Sequence, residues 1–64
     1  MDNEKLFELF KESVDKEHQA YETYKEIAKN VEDENVKKIF EDIAKDELKH
    51  KEQIMEQYSI LKNK

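Results

Sequence analysis

The sequence contains no cysteine, glycine, proline or tryptophan. Without cysteine, the chain can form neither disulfides nor thiolate zinc sites nor iron–sulfur clusters. Without glycine and proline, it has almost no residues that favour turns, so we expect long helices joined by a single loop. A chain of 64 residues also buries only a small core, so it needs a metal ion or a partner chain for stability.

Charged side chains make up 45% of the sequence and hydrophobic ones 36%, with a formal net charge of −5. This composition is typical of amphipathic helices whose outer faces are solvated. The negative charge argues against nucleic acid as a partner, because phosphates need a basic surface. No apolar run approaches the roughly 20 residues of a membrane-spanning helix, and the first residues lack the apolar core of a signal peptide. We therefore expect a cytoplasmic protein with no nucleic-acid and no membrane partner.

The one good break in the helical pattern is the segment 30–35, Asn-Val-Glu-Asp-Glu-Asn. Asn30 suits the C-terminal end of a helix, and Asp33 suits the N-cap of the next one. The sequence therefore predicts an all-α fold, an antiparallel hairpin of two helices at about residues 3–31 and 34–62.

Steps of alternately three and four residues along each predicted helix define an apolar stripe, which we call the core stripe. It contains Phe7, Phe10, Val14, Glu17, Tyr21, Tyr24, Ala28 and Val31 in the first helix, and Val36, Phe40, Ile43, Glu47, His50, Ile54, Gln57 and Leu61 in the second. This spacing is typical of left-handed helix bundles. Three ionisable residues interrupt the stripe midway, and these are Glu17, Glu47 and His50.

A carboxylate in such a stripe costs several kcal/mol to withdraw from water unless it is paired or bound to a cation. If the chain turns near residue 33, the three ionisable residues lie at about the same height and point inward. Glu47 and His50 form a Glu-x-x-His pair on one helix face, and Glu17 joins them from the other helix, as in carboxylate-bridged metal sites. We therefore predict Glu17, Glu47 and His50 as metal ligands. Their chemistry suits iron, with manganese or zinc as substitutes.

One hairpin supplies two glutamates and one histidine, which is half of the set that di-iron helix bundles use. A two-fold dimer would complete this set and would also bury the apolar stripe that a lone hairpin leaves half exposed. We therefore predict that residues 1–64 form one half-bundle domain. Two copies would form a four-helix bundle that holds two metal ions.

Two segments resemble a known family. Residues 17–24, Glu-His-Gln-Ala-Tyr-Glu-Thr-Tyr, and residues 39–50, Ile-Phe-Glu-Asp-Ile-Ala-Lys-Asp-Glu-Leu-Lys-His, resemble the first half of rubrerythrin and ferritin-like proteins. The resemblance covers about residues 14–55 and looks most like the encapsulated ferritins, whose subunit is also a two-helix hairpin. The sequence differs from rubrerythrin because it has no Cys-based rubredoxin module. It differs from the encapsulated ferritins because nothing after residue 61 resembles a shell-targeting peptide.

The resemblance implies a ferroxidase that oxidises Fe(II) with O2 at a di-iron site in the dimer interface, for iron storage or detoxification. It implies that Glu17, Glu47 and His50 bind the iron and that Tyr24, two turns after the first glutamate, takes part in catalysis. It also implies rings of dimers and enclosure in an encapsulin shell.

Three alternatives stay open at this point. The chain could be a rubrerythrin-like peroxide reductase, a non-catalytic metal-sensing or oxygen-sensing domain, or a structural coiled coil that tolerates polar residues in its core. For Tyr24 and Tyr21, simple packing is the alternative to a role beside the metal. We expect His18, which follows Glu17 directly, to project away from the core stripe onto the surface.

Overall fold

The computed structural model describes residues 3–64, which form two α-helices and no strand. Helix α1 spans Asn3–Asn30 and helix α2 spans Glu34–Lys62. The two helices pack against each other as an antiparallel hairpin that measures 47 × 16 × 13 Å. The prediction of an all-α hairpin is therefore confirmed. Neither helix is long and apolar enough over its described residues to cross a membrane.

The turn between the helices begins and ends where the polar residues of this segment predict. Helix α1 ends one residue before the predicted boundary, and the Val31 amide still donates a hydrogen bond to the Ile27 carbonyl at 3.0 Å. Asp33 has extended backbone angles, φ −69° and ψ 120°, and its Oδ1 accepts a hydrogen bond from the Val36 amide at 3.0 Å. This bond satisfies one of the free amides at the start of α2, so the N-cap prediction for Asp33 is confirmed.

The interior of the hairpin is thin. Among the described residues only Ala28 and Ala44 are buried, with 4% and 2% of their surface exposed. Near the open end, the ring of Tyr58 lies edge-on to Phe7 and Phe10, with centroid distances of 5.2 and 5.9 Å. The hairpin therefore holds together by small residues and an aromatic cluster, with little apolar volume that is fully removed from water.

Large apolar side chains remain exposed along one side of α2. Val36 is 39% exposed, Ile39 56% and Leu61 37%, and His50 is exposed with them. These residues recur at helical spacing, so they share one side of α2. We call this side, defined by Val36, Ile39, His50 and Leu61, the open face of the hairpin.

The core stripe describes α1 better than α2. All its positions in α1 are at least partly buried, whereas in α2 the positions Val36, His50, Gln57 and Leu61 are exposed. Ala44, which lies outside the stripe, is buried instead. The apolar surface of α2 is wider than a single neighbouring helix can cover, and the part on the open face lies beyond α1.

Candidate metal centre

The structure brings Glu17, Glu47 and His50 together midway along the hairpin. Glu17 comes from α1, and Glu47 and His50 come from one face of α2, where residues three apart are neighbours. One ligand atom from each residue lies within 4.8 Å of the other two. His50 Nδ1 is 3.7 Å from Glu17 Oε2 and 3.9 Å from Glu47 Oε2. The equal heights that the sequence predicts are therefore present.

The three side chains differ in their access to water. The side chains of Glu17 and Glu47 are 27% and 21% exposed, whereas that of His50 is 54% exposed. His50 lies about three turns from Ile39 on the same side of α2. The cluster is therefore closed on the side where the helices meet and accessible from the open face.

One oxygen of the two carboxylates lacks a hydrogen bond. Glu17 Oε2 is buried and has no hydrogen-bond partner among residues 3–64. The pKa of Glu47 is raised above its ordinary value. The largest cause is a hydrogen bond with the Glu17 side chain, followed by burial and then by charge repulsion from Glu17. The charge of His50 lowers the same pKa. Two close carboxylates with an unpaired buried oxygen favour a bound proton or a bound cation.

The donor set fits a transition metal. Carboxylate oxygen is a hard ligand that can bridge two cations, and neutral imidazole nitrogen suits iron and zinc. Glu17 Oε2, which is buried without a hydrogen bond in the part of the chain that the structure describes, is the position that a positive ion would satisfy. Glu17, Glu47 and His50 are thus the residues that would hold a metal ion in this chain.

Tyr24 lies apart from the cluster along α1. It follows Glu17 by seven residues, which is about 10 Å along a helix axis. Its ring lies 6.1 Å from that of Phe40, at an interplanar angle of 30°. This contact gives Tyr24 a packing position between the helices. Its catalytic role stays a prediction.

One contact beside the centre was missed by the sequence analysis. Lys51 Nζ lies 3.1 Å from His18 Nδ1, and His18 Nε2 lies 3.7 Å from Glu22 Oε1. His18 is on the surface as predicted, with 48% of its side chain exposed. The signal was present in the spacing, because His18 follows Glu17 and Lys51 follows His50. An arrangement that brings Glu17 to His50 also brings their chain neighbours close to each other.

The fold and the cluster together define a class of protein. An antiparallel helical hairpin with two carboxylates and one histidine facing each other midway is a half-bundle of the ferritin-like type. A protein-family model described as Rubrerythrin matches residues 4–64, so the chain belongs to the rubrerythrin family, within the ferritin-like superfamily. This confirms the resemblance that residues 17–24 and 39–50 carry. Comparison with curated proteins and comparison with solved structures gave no match.

Family membership gives the centre a general chemical character. It points to a di-iron ferritin-like protein with oxidoreductase chemistry, and the carboxylate and imidazole donors of this chain are consistent with iron.

Proposed function

We propose that this chain is a ferroxidase that oxidises Fe(II) to Fe(III) with O2 at a di-iron site in a homodimer, serving iron storage or detoxification. The observation that carries the proposal is the convergence of Glu17, Glu47 and His50, with ligand atoms within 4.8 Å of one another. The match to the rubrerythrin family over residues 4–64 supports iron as the metal.

A homodimer is supported by the surface that the single hairpin leaves exposed. The hairpin exposes 5318 Å², about 900 Å² more than the roughly 4,400 Å² that a compact folded chain of this mass exposes. A standard protein interface buries about 800 Å² per partner. A second copy on the open face would bury Val36, Ile39 and Leu61 and would bring a second Glu17, Glu47 and His50 towards the first set. The four carboxylates and two imidazoles would then complete a di-iron ligand set.

The ligands themselves favour binding of Fe(II). In the metal-free protein Glu17 and Glu47 repel each other when both are ionised, which contributes to the raised pKa of Glu47. A divalent cation removes this repulsion. Bound iron would supply two electrons, one from each Fe(II), and with two protons from water these would reduce O2 to H2O2.

Loss of one carboxylate ligand tests the proposal. Glu47→Gln removes an anionic ligand with little change in volume, and the matched control Glu52→Gln makes the same change at an exposed position of α2. Fe(II) would be added aerobically to metal-free protein, and the appearance of Fe(III) followed by absorbance. We expect Glu47→Gln to oxidise Fe(II) at the rate of protein-free buffer and Glu52→Gln at the wild-type rate. A Glu47→Gln variant as fast as wild type, above the buffer rate, would end the proposal.

The family match favours one alternative, a peroxide reductase of rubrerythrin type. Such an enzyme would use the same three ligands, but the diferrous protein would react faster with H2O2 than with O2. Rapid mixing of the anaerobic diferrous protein with each oxidant separates the two functions. Stable, reversible O2 binding without turnover would instead indicate a sensing domain.

The larger setting of the ferroxidase is proposed from the resemblance to encapsulated ferritins alone. We place the protein in the cytoplasm, as a ring of dimers enclosed by an encapsulin shell. Co-expression with an encapsulin shell protein tests this setting. Chain recovered inside intact shells supports it, and chain found only outside them contradicts it.

A further inference from the structure

A polar contact joins the two helices next to the metal centre. The ammonium of Lys51 on α2 lies 3.1 Å from Nδ1 of His18 on α1. His18 directly follows the ligand Glu17, and Lys51 directly follows the ligand His50. Because consecutive residues differ by about 100° around a helix, this contact lies beside the cluster, on the side away from the open face.

The chemistry of the contact defines its donor and acceptor. A lysine ammonium has hydrogens to donate and no lone pair to accept, so His18 Nδ1 must be the acceptor. The ring hydrogen of a neutral His18 then lies on Nε2, which is 3.7 Å from Glu22 Oε1. Lys51 is partly buried, which means that its aliphatic stem is covered by the hairpin while its charged end reaches α1. The contact therefore requires one particular tautomer of His18.

The position of the contact makes it relevant to the ligands. At the level of the centre, Glu17 and Glu47 occupy positions of the core stripe that are otherwise mostly apolar. Within one turn a helix is rigid, so a fixed distance between His18 and Lys51 also limits the distance between Glu17 and His50. That second distance is 3.7 Å between Glu17 Oε2 and His50 Nδ1.

From these observations we infer that His18 and Lys51 are positioning residues, whose hydrogen bond holds the two helices in the rotation and register that bring Glu17 to His50. The inference rests on the proposed binding of metal by Glu17, Glu47 and His50. An exposed polar contact of this kind contributes little to the stability of a fold. Loss of this contact therefore weakens metal binding, while the unfolding temperature of the metal-free protein changes little.

The test compares two lysines that flank His50. Lys51→Met keeps the aliphatic stem and removes the donor, whereas Lys49→Met removes the same charge at an exposed position on the other side of His50. Co(II) titration of the metal-free protein gives an affinity and, from the visible absorption bands, the ligand geometry. We expect Lys51→Met to weaken Co(II) binding about threefold, because the effect cannot exceed the small free energy of an exposed polar contact. Lys51→Met should also change the Co(II) absorption bands, whereas Lys49→Met should leave both the affinity and the bands unchanged.

Further variants separate the hydrogen bond from the charge. Lys51→Arg keeps a donor and retains most of the affinity. His18→Leu loses as much affinity as Lys51→Met, and the double variant loses no more than either one, because both remove the same interaction. Equal affinities for Lys51→Met and Lys49→Met, or fully additive losses in the double variant, would overturn the inference.

A measurement without metal tests the contact itself. In metal-free protein, nitrogen NMR of the His18 ring should show the hydrogen on Nε2, and Lys51→Met should shift the His18 ring signals. A His18 ring with its hydrogen on Nδ1 would overturn the inference. If wild-type protein bound no Co(II), both the proposed metal site and the positioning role of His18 and Lys51 would be contradicted. Wild-type protein that binds Co(II) but does not oxidise Fe(II) would contradict the ferroxidase proposal alone.

Discussion

Glu17 Oε2 and His50 Nδ1 lie 3.7 Å apart, although the two residues belong to different helices. One more residue in either helix, between the turn and the ligand, would rotate that ligand by about 100° around its helix. Their approach therefore depends on the position of the turn between Asn30 and Glu34. The Asp33 cap fixes the first residue of α2 and thereby the height of His50. The turn therefore determines whether the centre can form.

The raised pKa of Glu47 predicts a stability effect in the metal-free protein. Because the folded-state pKa lies above its ordinary value of 4.5, the folded chain holds this proton more tightly than the unfolded chain. The stabilisation from this proton is present below the unfolded pKa and is lost as the pH rises through the folded pKa. At pH 7 Glu47→Gln removes the repulsion from Glu17, so the unfolding temperature should rise.

This effect is checked by thermal unfolding in the presence of a chelator. The gain in unfolding temperature from Glu47→Gln should be larger at pH 7 than at pH 4, because the raised pKa of Glu47 leaves more of this carboxyl protonated at the lower pH. Glu52→Gln serves as the control and should show no such difference. A lower unfolding temperature for Glu47→Gln at pH 7 would contradict the electrostatic description of the centre.

A charge on the open face should separate the proposed dimer. Ile39 is 56% exposed in the single hairpin, and a second copy would bury it. Ile39→Lys would place a buried ammonium without a partner in that interface, which costs several kcal/mol. Sedimentation velocity should therefore show monomers for Ile39→Lys at concentrations where the wild type is dimeric.

The matched control for this variant is Ile60→Lys. Ile60 is 48% exposed and lies about 80° around α2 from His50, away from the open face. This variant should remain a dimer. Monomeric wild-type protein, or equal dissociation of the two variants, would show that the open face is not the interface.

The cap of α2 should make a measurable contribution to stability. Asp33→Ala removes the acceptor of the Val36 amide bond, and the loss of such a cap costs about 1 kcal/mol. Chemical unfolding at a fixed protein concentration measures this cost, since the stability of a dimer depends on concentration. Asp42→Ala, at an exposed position inside α2, should cost less. A cost for Asp33→Ala no larger than that for Asp42→Ala would rule out a role for the cap.

The helices and their ends follow from local sequence chemistry. The chain has no glycine or proline, so only the polar residues between Asn30 and Asp33 could end one helix and start the next. The meeting of Glu17, Glu47 and His50 follows from the same step, because the position of the turn fixes which residues share a height. The fold of the hairpin and the composition of the candidate centre could therefore be predicted together.

The inner side of α2 could not be predicted as well. Its apolar residues cover more than one face, so the three-and-four spacing fits both the side that contacts α1 and the open face. The spacing assigned Val36 and Leu61 to the core, where the structure exposes them, and it left out Ala44, which is buried. Small residues carry little weight in an apolar pattern, yet they allow the closest approach of two helices. The Lys51–His18 contact was missed because both residues are polar and lie off the core stripe.

The stoichiometry of Fe(II) oxidation tests the central claim most directly. Metal-free protein would be mixed aerobically with increasing Fe(II), and the amplitude of the fast Fe(III) absorbance change plotted against iron per chain. A di-iron site shared by two copies predicts that the fast phase saturates at one iron per chain. A rate no faster than that of protein-free buffer at every ratio would contradict the ferroxidase centre.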